Sequence, residues 1–168
     1  MMRGRVLRDQ RGITVAEVLI AAAILALGLA ALMSVVPVAS YAVQDGNQTS
    51  TATFLGQQRL EQVRNATWNA ITDCVGLSPN ASSPPAPSPA GTCGATAVTF
   101  PDEATLSGFA QYARTVRITD CGVTPCGAVT SSAMRLVTVT LTYRPLSAAG
   151  GSNSNTTVTL EWLIAQRL

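Results

Sequence analysis

The residues with the clearest chemistry are Gly12, Ile13 and Glu17, which lie at the start of a long apolar run. No charged residue follows Glu17 until Asp45. Because an unpaired charge in hydrocarbon costs about 2.5–3.5 kcal/mol or more, this carboxylate needs a cationic partner. Cleavage between Gly12 and Ile13 would create that partner as a new N-terminal amine. The pattern predicts a chain that is cut there and assembles, with the carboxylate of one copy facing the amine of another.

Residue types that support catalysis or metal binding are scarce elsewhere. The chain has no histidine, so the commonest general base and the commonest zinc ligand are both missing. It has no nucleophile elbow and no phosphate-binding glycine loop. Asp102 and Glu103 could ligate Ca²⁺ with nearby carbonyls, but a solvated loop is the favoured interpretation. We therefore predict a protein that is not an enzyme and needs no cofactor or metal.

The charge distribution predicts a membrane anchor. Four arginines against one aspartate give residues 1–12 a charge of +3, which leaves −1 for the remainder of a chain whose net charge is +2. The apolar run 13–43 is too long for the core of a signal peptide and long enough to cross a bilayer. The positive-inside rule places its N-terminal end in the cytoplasm. The sequence predicts a single-pass protein of the inner membrane and no direct contact with nucleic acid.

Four cysteines all follow the apolar run, which indicates disulfides in an oxidising compartment: Cys74, Cys93, Cys121 and Cys126. Four cysteines permit three pairings, and the sequence does not choose among them with certainty. The simplest pairing joins the first two around the Pro/Ser-rich segment 78–91, which is expected to form an exposed loop, and the last two around a turn. A zinc site is the weaker alternative, because the spacings do not suit paired knuckles.

The apolar run and the segment after it predict one long helix with weak points. Gly28 and Pro37 mark places where the helix could kink. Asp45-Gly46-Asn47 predicts a bend or a break. Beyond it, helical spacing places five apolar residues on one broad face that could pack on a sheet: Ala52, Leu55, Leu60, Val63 and Ala66.

Three later segments alternate with the period of half-buried antiparallel strands, namely 112–119, 137–144 and 157–164. Residues 95–100 could add a fourth. Arg114 and Arg117 are interpreted as part of a solvated sheet face, and Trp68 and Trp162 as packing residues. The predicted fold class is α+β, with a long N-terminal helix whose second half packs on a small antiparallel sheet.

The stretch Gly12-Ile13-Thr14-Val15-Ala16-Glu17-Val18-Leu19-Ile20 resembles the processing site of type IV prepilins and pseudopilins. The resemblance implies that a prepilin peptidase cuts after Gly12 and N-methylates Ile13, and that Glu17 serves assembly. The segment 52–68 is more weakly similar to type IV pilus modification proteins and to I-type minor pseudopilins of type II secretion. Cys121 and Cys126 precede the last two predicted strands, unlike the C-terminal disulfide loop of many major pilins, which favours a minor subunit.

The resulting organisation has four parts: a cleaved leader 1–12, a transmembrane assembly helix 13–43, an amphipathic second half 44–70, and a sheet domain 71–168. The predicted function is that of a structural subunit, a minor pilin of a type IV pilus or a minor pseudopilin of type II secretion. Its implied partners are other pilin or pseudopilin subunits, the prepilin peptidase and an inner-membrane assembly platform. After assembly it would lie in a filament in the periplasm or at the cell surface. The alternative from another class is a membrane-anchored binding module that never polymerises.

Overall fold

In the part of the chain that this computed structural model describes, the main elements are one long helix, one antiparallel sheet and a short 3₁₀ turn. The structure describes residues 13–85, 93–94, 97–145 and 154–167. The chain divides into two compact units, Met1–Ala42 and Val43–Leu168. Helix α1 spans Val15–Arg64, so its residues belong to both units.

The first unit consists, in its described part, of the beginning of α1. All side chains from Ile13 to Asn47 are exposed, although most of them are apolar. By length and composition α1 is able to cross a membrane. Gly28 and Pro37 lie within the helix and do not interrupt it. The kink expected at these two residues stays a prediction.

In the second unit, α1 continues without interruption through Asp45-Gly46-Asn47, so the predicted break is wrong. A glycine inside a helix costs only about 1 kcal/mol relative to alanine. Tertiary contacts that begin one residue later offset this cost, since Gln48 is buried and its carbonyl accepts a hydrogen bond from Tyr112 Oη at 3.2 Å. At this point tertiary packing outweighs the low helix propensity of the local sequence.

The sheet contains β1 (Tyr112–Asp120), β2 (Met134–Tyr143) and β3 (Thr156–Ala165), in the order β1-β2-β3 with both pairs antiparallel. In the register, Val116 lies opposite Val139, which lies opposite Leu160. Buried residues alternate regularly along β1 and β2, as the period-two pattern predicts. The predicted α+β class, a long helix with a small antiparallel sheet, is confirmed.

The core forms where the second half of α1 packs on one face of the sheet. The helix contributes Ala52, Leu55, Leu60 and Val63, all buried, with Ala66 partly buried beside them. This is the stripe that the helical spacing predicts. Gly56 also lies in it, because a Cβ there would come within 2.9 Å of Leu141 Cδ1.

The start of the Pro/Ser-rich segment is buried, which corrects the expectation of an exposed loop over 78–91. Pro79–Ala81 form a 3₁₀ turn, and Ser78 to Ser82 are all buried. Proline suits this place because it needs no donor at the start of a helical turn. Asn80 Nδ2 donates to the Ile71 carbonyl at 2.6 Å, and Phe100 N donates to the Ala81 carbonyl at 2.7 Å. Residues 86–91 of the predicted loop lie outside the described residues.

The expected fourth strand at 95–100 does not form in its described part. Residues 97–100 make one isolated parallel bridge, between Ser82 and Phe100, and no ladder. Pro101 follows directly and carries no backbone N–H to extend the pairing. Ala95 and Thr96 lie outside the described residues.

Candidate assembly site

The N-terminal motif is positioned by the first turn of α1. Gly12 and the preceding leader lie outside the described residues, while Ile13 and Thr14 immediately precede the helix. Glu17 lies in the first turn and its side chain is exposed. A carboxylate there also interacts favourably with the positive end of the helix dipole. Glu17 thus follows Ile13 by four residues, at the end of an exposed apolar helix.

Thr14 is a site residue that the sequence analysis missed. Glu17 N donates to Thr14 Oγ1 at 3.3 Å and to the Thr14 carbonyl at 3.0 Å. Thr14 therefore caps the helix, and Thr14-Val15-Ala16-Glu17 has the spacing of a capping box. This spacing is the signal that could have identified it. Glu17 consequently has two separable properties, a place in the helix cap and a negative charge.

The cysteines form two disulfides, Cys74–Cys93 and Cys121–Cys126, with Cα–Cα distances of 6.2 and 5.1 Å. These are the pairings that the sequence analysis favours. The first links the chain across the Pro/Ser-rich segment, and the second closes the turn after β1. Both belong to the second unit.

A partly buried ion cluster joins α1 to β1, and it overturns the solvated interpretations of Arg114 and Glu103. Glu103 pairs with Arg59 of α1 and, at 2.7 Å, with Arg114 Nη2 of β1. Arg114 Nη1 also donates to the Leu55 carbonyl at 3.1 Å. Burial by itself raises the pKa of Glu103, but the hydrogen bonds and charges of the two arginines outweigh it, so this pKa lies below its usual value.

Arg117 is likewise paired, because its guanidinium donates to both carboxylate oxygens of Asp102, at 2.6 and 2.9 Å. Glu103 thus faces two arginines, which corrects its placement in a solvated loop, whereas Asp102 is exposed beside Arg117. Within the described ranges, no three His, Cys, Asp or Glu side chains gather as metal ligands would. Both acids therefore form ion pairs with arginines.

Arg135 is a second buried cation that the sequence analysis missed. It donates to the carbonyls of Leu77 and Asn69, at 2.7 and 2.6 Å, and lies 4.0 Å above the Trp68 ring. Burial lowers its pKa, while the neighbouring carboxylate of Asp120 acts in the opposite direction. Its place in the buried alternation of β2, two residues before Val137, could have revealed it.

The two tryptophans differ in their surroundings. Trp68 packs against the core and stacks on Arg135. Trp162 of β3 is 43% exposed, so it packs between helix and sheet only in part. It lines a cleft of about 550 Å³ together with Phe54, Gln57, Gln58, Leu60 and Glu61 of α1.

Residues 7–33 match the family model described as the prokaryotic N-terminal methylation motif. No curated protein and no solved structure matches the chain. The N-terminal part of the chain therefore carries a class III signal, which is consistent with a type IV pilin-like protein. The motif indicates a structural protein and not an enzyme. It implies processing by a prepilin peptidase, membrane anchoring and assembly with other pilin-type subunits.

Proposed function

We propose that this protein is a minor structural subunit of a type IV pilus or of a related pseudopilus. In this proposal the peptidase removes residues 1–12 and methylates Ile13, and the mature chain enters a filament through the first half of α1. The observation that carries the proposal is the methylation motif at 7–33, placed at the start of a helix whose apolar side chains are exposed from Ile13 onward. Such a surface must be covered by lipid before assembly and by neighbouring helices after assembly.

The topology follows from the charges on either side of the anchor. The arginine-rich leader stays in the cytoplasm, and the disulfide-bonded unit lies on the oxidising side. The boundary between the two compact units, at Ala42 and Val43, supports an anchor that ends near residue 43. Assembly would move the subunit from the inner membrane into a periplasmic or surface filament.

Glu17 is the residue that we expect to set the position of each subunit along the filament. Its exposed carboxylate in the first turn would meet the methylated amine of Ile13 from a neighbouring copy inside an apolar core. Removal of one partner from a buried pair leaves an uncompensated charge and costs about 3–5 kcal/mol. The pair therefore enforces one axial register more than it adds net stability.

Two features support a minor subunit. The disulfide Cys121–Cys126 precedes β2 and β3, whereas a C-terminal disulfide loop is typical of many major pilins. The segment 52–68 also resembles the corresponding region of minor subunits. A pseudopilus of type II secretion is the second candidate within this class, because the I-type minor pseudopilins share that resemblance. Neighbouring genes for a secretin with secretion components, or for pilus retraction, would separate the two.

Intact mass spectrometry of membrane-extracted protein tests the proposal directly. We expect a mature chain that begins at Ile13 and is twelve residues shorter than the full sequence. Its N-terminal amine should carry one methyl group, which adds to the mass of the cleaved chain. A chain that retains Met1 or Met2 in cells with an active prepilin peptidase would contradict the proposal. That result would favour the membrane-anchored binding module, for which Glu17 has no role.

A further inference from the structure

A second cleft lies at the C-terminal end of α1 and has a cationic lining. Its volume is about 260 Å³, and it is formed by the end of the helix, the segment that follows the helix, and the end of β3. Arg64 and Arg167 line this arginine cleft, and none of the described residues that line it is an aspartate or a glutamate. Residues 1–12 contribute +3 to a net charge of +2, which leaves −1 for the rest of the chain. The cationic lining is therefore a local feature and not part of a generally basic surface.

The remainder of the lining is mostly apolar. Trp68, Leu77 and Ile164 supply the large apolar side chains, and Asn65 and Thr67 supply a neutral amide and a hydroxyl. Pockets that combine apolar walls with a few polar groups are typical binding sites for small ligands. The arginine cleft thus suits a ligand that has both an anionic group and an apolar part.

Backbone hydrogen bonds hold two walls of the arginine cleft in place. Leu77 N donates to the Thr67 carbonyl at 2.9 Å, which joins two lining residues. Gln166 N donates to the Ala133 carbonyl at 2.8 Å and fixes the residue that precedes Arg167. The fold of the second unit therefore forms the cleft without help from a ligand.

The aromatic lining residue does not favour a cationic ligand. The Trp68 ring lies 4.0 Å from the guanidinium of Arg135, whose side chain is only 3% exposed. An aromatic ring that already faces one cation attracts a second cation less strongly, because both interact with the same π electrons. The two arginines of the lining repel a cation as well, so the arginine cleft selects an anion.

Ordinary structural roles account for only one of the two arginines. Arg64 lies in the last turn of α1, where a cation interacts favourably with the helix dipole, and its Nη1 is 3.3 Å from the Glu61 carboxylate. Both side chains of this pair are at least half exposed, so the pair adds little stability and can be exchanged for a ligand. Neither role applies to Arg167, which follows β3 and is exposed in the same cleft.

The size and the lining of the arginine cleft narrow the choice of anion. Its volume is below the range of about 300–1,000 Å³ that encloses a drug-sized ligand, so it has room for a single small group. An acidic sugar carries several hydroxyls, and the neutral polar side chains of the lining are only Asn65 and Thr67. A phosphate has no apolar part to cover Trp68. The C-terminal residue of a polypeptide carries a carboxylate and an apolar side chain on one carbon atom, which matches the lining.

We infer that the arginine cleft binds the C-terminal residue of a partner polypeptide. Arg64 and Arg167 hold the terminal carboxylate, and the apolar side chain of that residue packs on Trp68 and Ile164. Capture of a terminal carboxylate is a recurring mode of peptide recognition, and arginine is well suited to it because its guanidinium can donate two parallel hydrogen bonds. The cleft lies entirely in the second unit, so this role goes beyond the proposed function and does not depend on assembly.

A fluorescence titration of the full chain in phosphatidylcholine nanodiscs tests this binding. The chain has two tryptophans, so Trp162→Phe leaves Trp68 as the reporter. The probe is N-acetyl-alanyl-alanyl-leucine with a free carboxylate, and its C-terminal amide is the matched control ligand. We expect a saturable change of Trp68 emission with the acid and at least about tenfold weaker binding of the amide, because the amide cannot form charge-assisted hydrogen bonds as an anion does.

Variants at exposed positions separate binding from folding. Arg64→Gln and Arg167→Gln should each weaken binding of the acid about tenfold, whereas Arg117→Gln should leave it unchanged, because Arg117 does not line the cleft. Glu61→Gln should strengthen binding, since it removes the carboxylate that competes for Arg64. A purely structural role of Arg64 would not produce this gain.

Equal affinity for the acid and the amide would overturn the inference, and so would unchanged binding in both arginine variants. Glucuronate and inorganic phosphate are titrated in parallel, and binding of either without binding of the peptide acid would also overturn it. The outcome is separable from that of the proposed function. A chain that keeps Met1 but binds the peptide acid would contradict only the proposed function, and a mature chain in filaments that fails to bind it would contradict only this inference.

Discussion

Two glutamates illustrate how the surroundings of a carboxylate define its role. Glu17 lies exposed at the start of α1, whereas Glu103 is partly buried between two arginines. The charge of Glu103 is compensated within the chain. That of Glu17 lies at the end of an exposed apolar helix, where assembly would bring a second chain to it. Glu103 therefore stabilises the subunit, and Glu17 is expected to position the subunit among its neighbours.

Substitution of Glu17 separates its charge from its place in the helix cap. Glu17→Gln keeps the Thr14-x-x-Gln form of the capping box but removes the charge. We expect filament assembly to fall at least about tenfold, because the Ile13 amine of the neighbour would be left unpaired. The amount of mature subunit in sheared filament fractions measures this.

Thr14→Ala is the matched variant for Glu17→Gln. It should weaken the helix start by about 1 kcal/mol and leave assembly nearly unchanged, because α1 is long and the carboxylate remains. Wild-type assembly of Glu17→Gln, or equal losses in the two variants, would contradict a role for the charge.

Glu103 should make the stability of the second unit dependent on pH. Its pKa is lower in the folded chain than the ordinary value of 4.5, so the unfolded chain binds the proton more readily. The stabilisation is therefore complete above the ordinary pKa and is lost as the pH falls below 4.5 through the lower folded value. Glu103→Gln should cost about 1–3 kcal/mol at pH 7, since it leaves Arg59 and Arg114 without their carboxylate.

Denaturant unfolding of the detergent-solubilised chain between pH 3 and 7 checks the Glu103 prediction. The difference between wild type and Glu103→Gln should shrink toward low pH. Glu61→Gln is the control, because Glu61 is exposed and its pair with Arg64 adds little. A difference that stays constant across this range would show that Glu103 contributes through packing and not through charge.

At the level of the elements, the second half of α1 is held in place by close contact with the sheet. Gly56 permits this contact, while Gly46, ten residues earlier on the same helix, has no heavy atom within 4 Å of a hypothetical Cβ. Both glycines lie within the same helix, but only Gly56 is in close contact with the sheet. One is required by packing, and the other only weakens the helix locally.

The comparison of Gly56→Val with Gly46→Val tests how closely α1 packs. Gly56→Val should lower the free energy of unfolding by about 1–3 kcal/mol, because the added methyl groups overpack the contact with Leu141 and Leu160. Gly46→Val should change it by less than about 0.5 kcal/mol, since valine and glycine have similar helix propensities. Thermal or denaturant unfolding measures both. Equal effects would argue against close packing at Gly56.

At the scale of the whole molecule, the two units differ in whether their apolar side chains are exposed or buried. In its described part, the first unit exposes its apolar side chains, and the second unit has a buried core and two disulfides. A chain of this kind is stable in water only in its second unit, and its first unit depends on lipid or on neighbouring subunits.

The disulfides should stabilise the second unit to different degrees. Cys74–Cys93 spans 19 residues and Cys121–Cys126 spans 5. In the chain-entropy model the longer loop contributes about 3 kcal/mol and the shorter about 2 kcal/mol. Unfolding of the paired Cys→Ala variants, Cys74/Cys93 and Cys121/Cys126, would measure this. A larger loss for the short loop would indicate that buried Cys121 contributes through packing instead.

Much of the element pattern was predictable because it depends on local periodicity. The helical stripe from Ala52 to Val63 and the alternation in the three strands follow from which residues can share a face. The break expected at Gly46 was wrong, because its small local cost is offset by contacts 64 residues away in sequence, such as that between Gln48 and Tyr112. The fourth strand does not form in its described part, because β-propensity needs a partner edge and residues 97–100 make only one isolated bridge, between Ser82 and Phe100.

The sequence by itself determined the N-terminal signal, since Gly12, Ile13 and Glu17 are recognised by spacing along an apolar helix and require no tertiary contact. It also determined the fold class and the strands. Only the tertiary structure decided that Arg59 and Arg114 converge on Glu103, that Arg135 is buried beneath Trp68, and that Trp162 is exposed. These outcomes depend on which distant segments meet, and a one-dimensional pattern of charge and hydropathy does not contain that information.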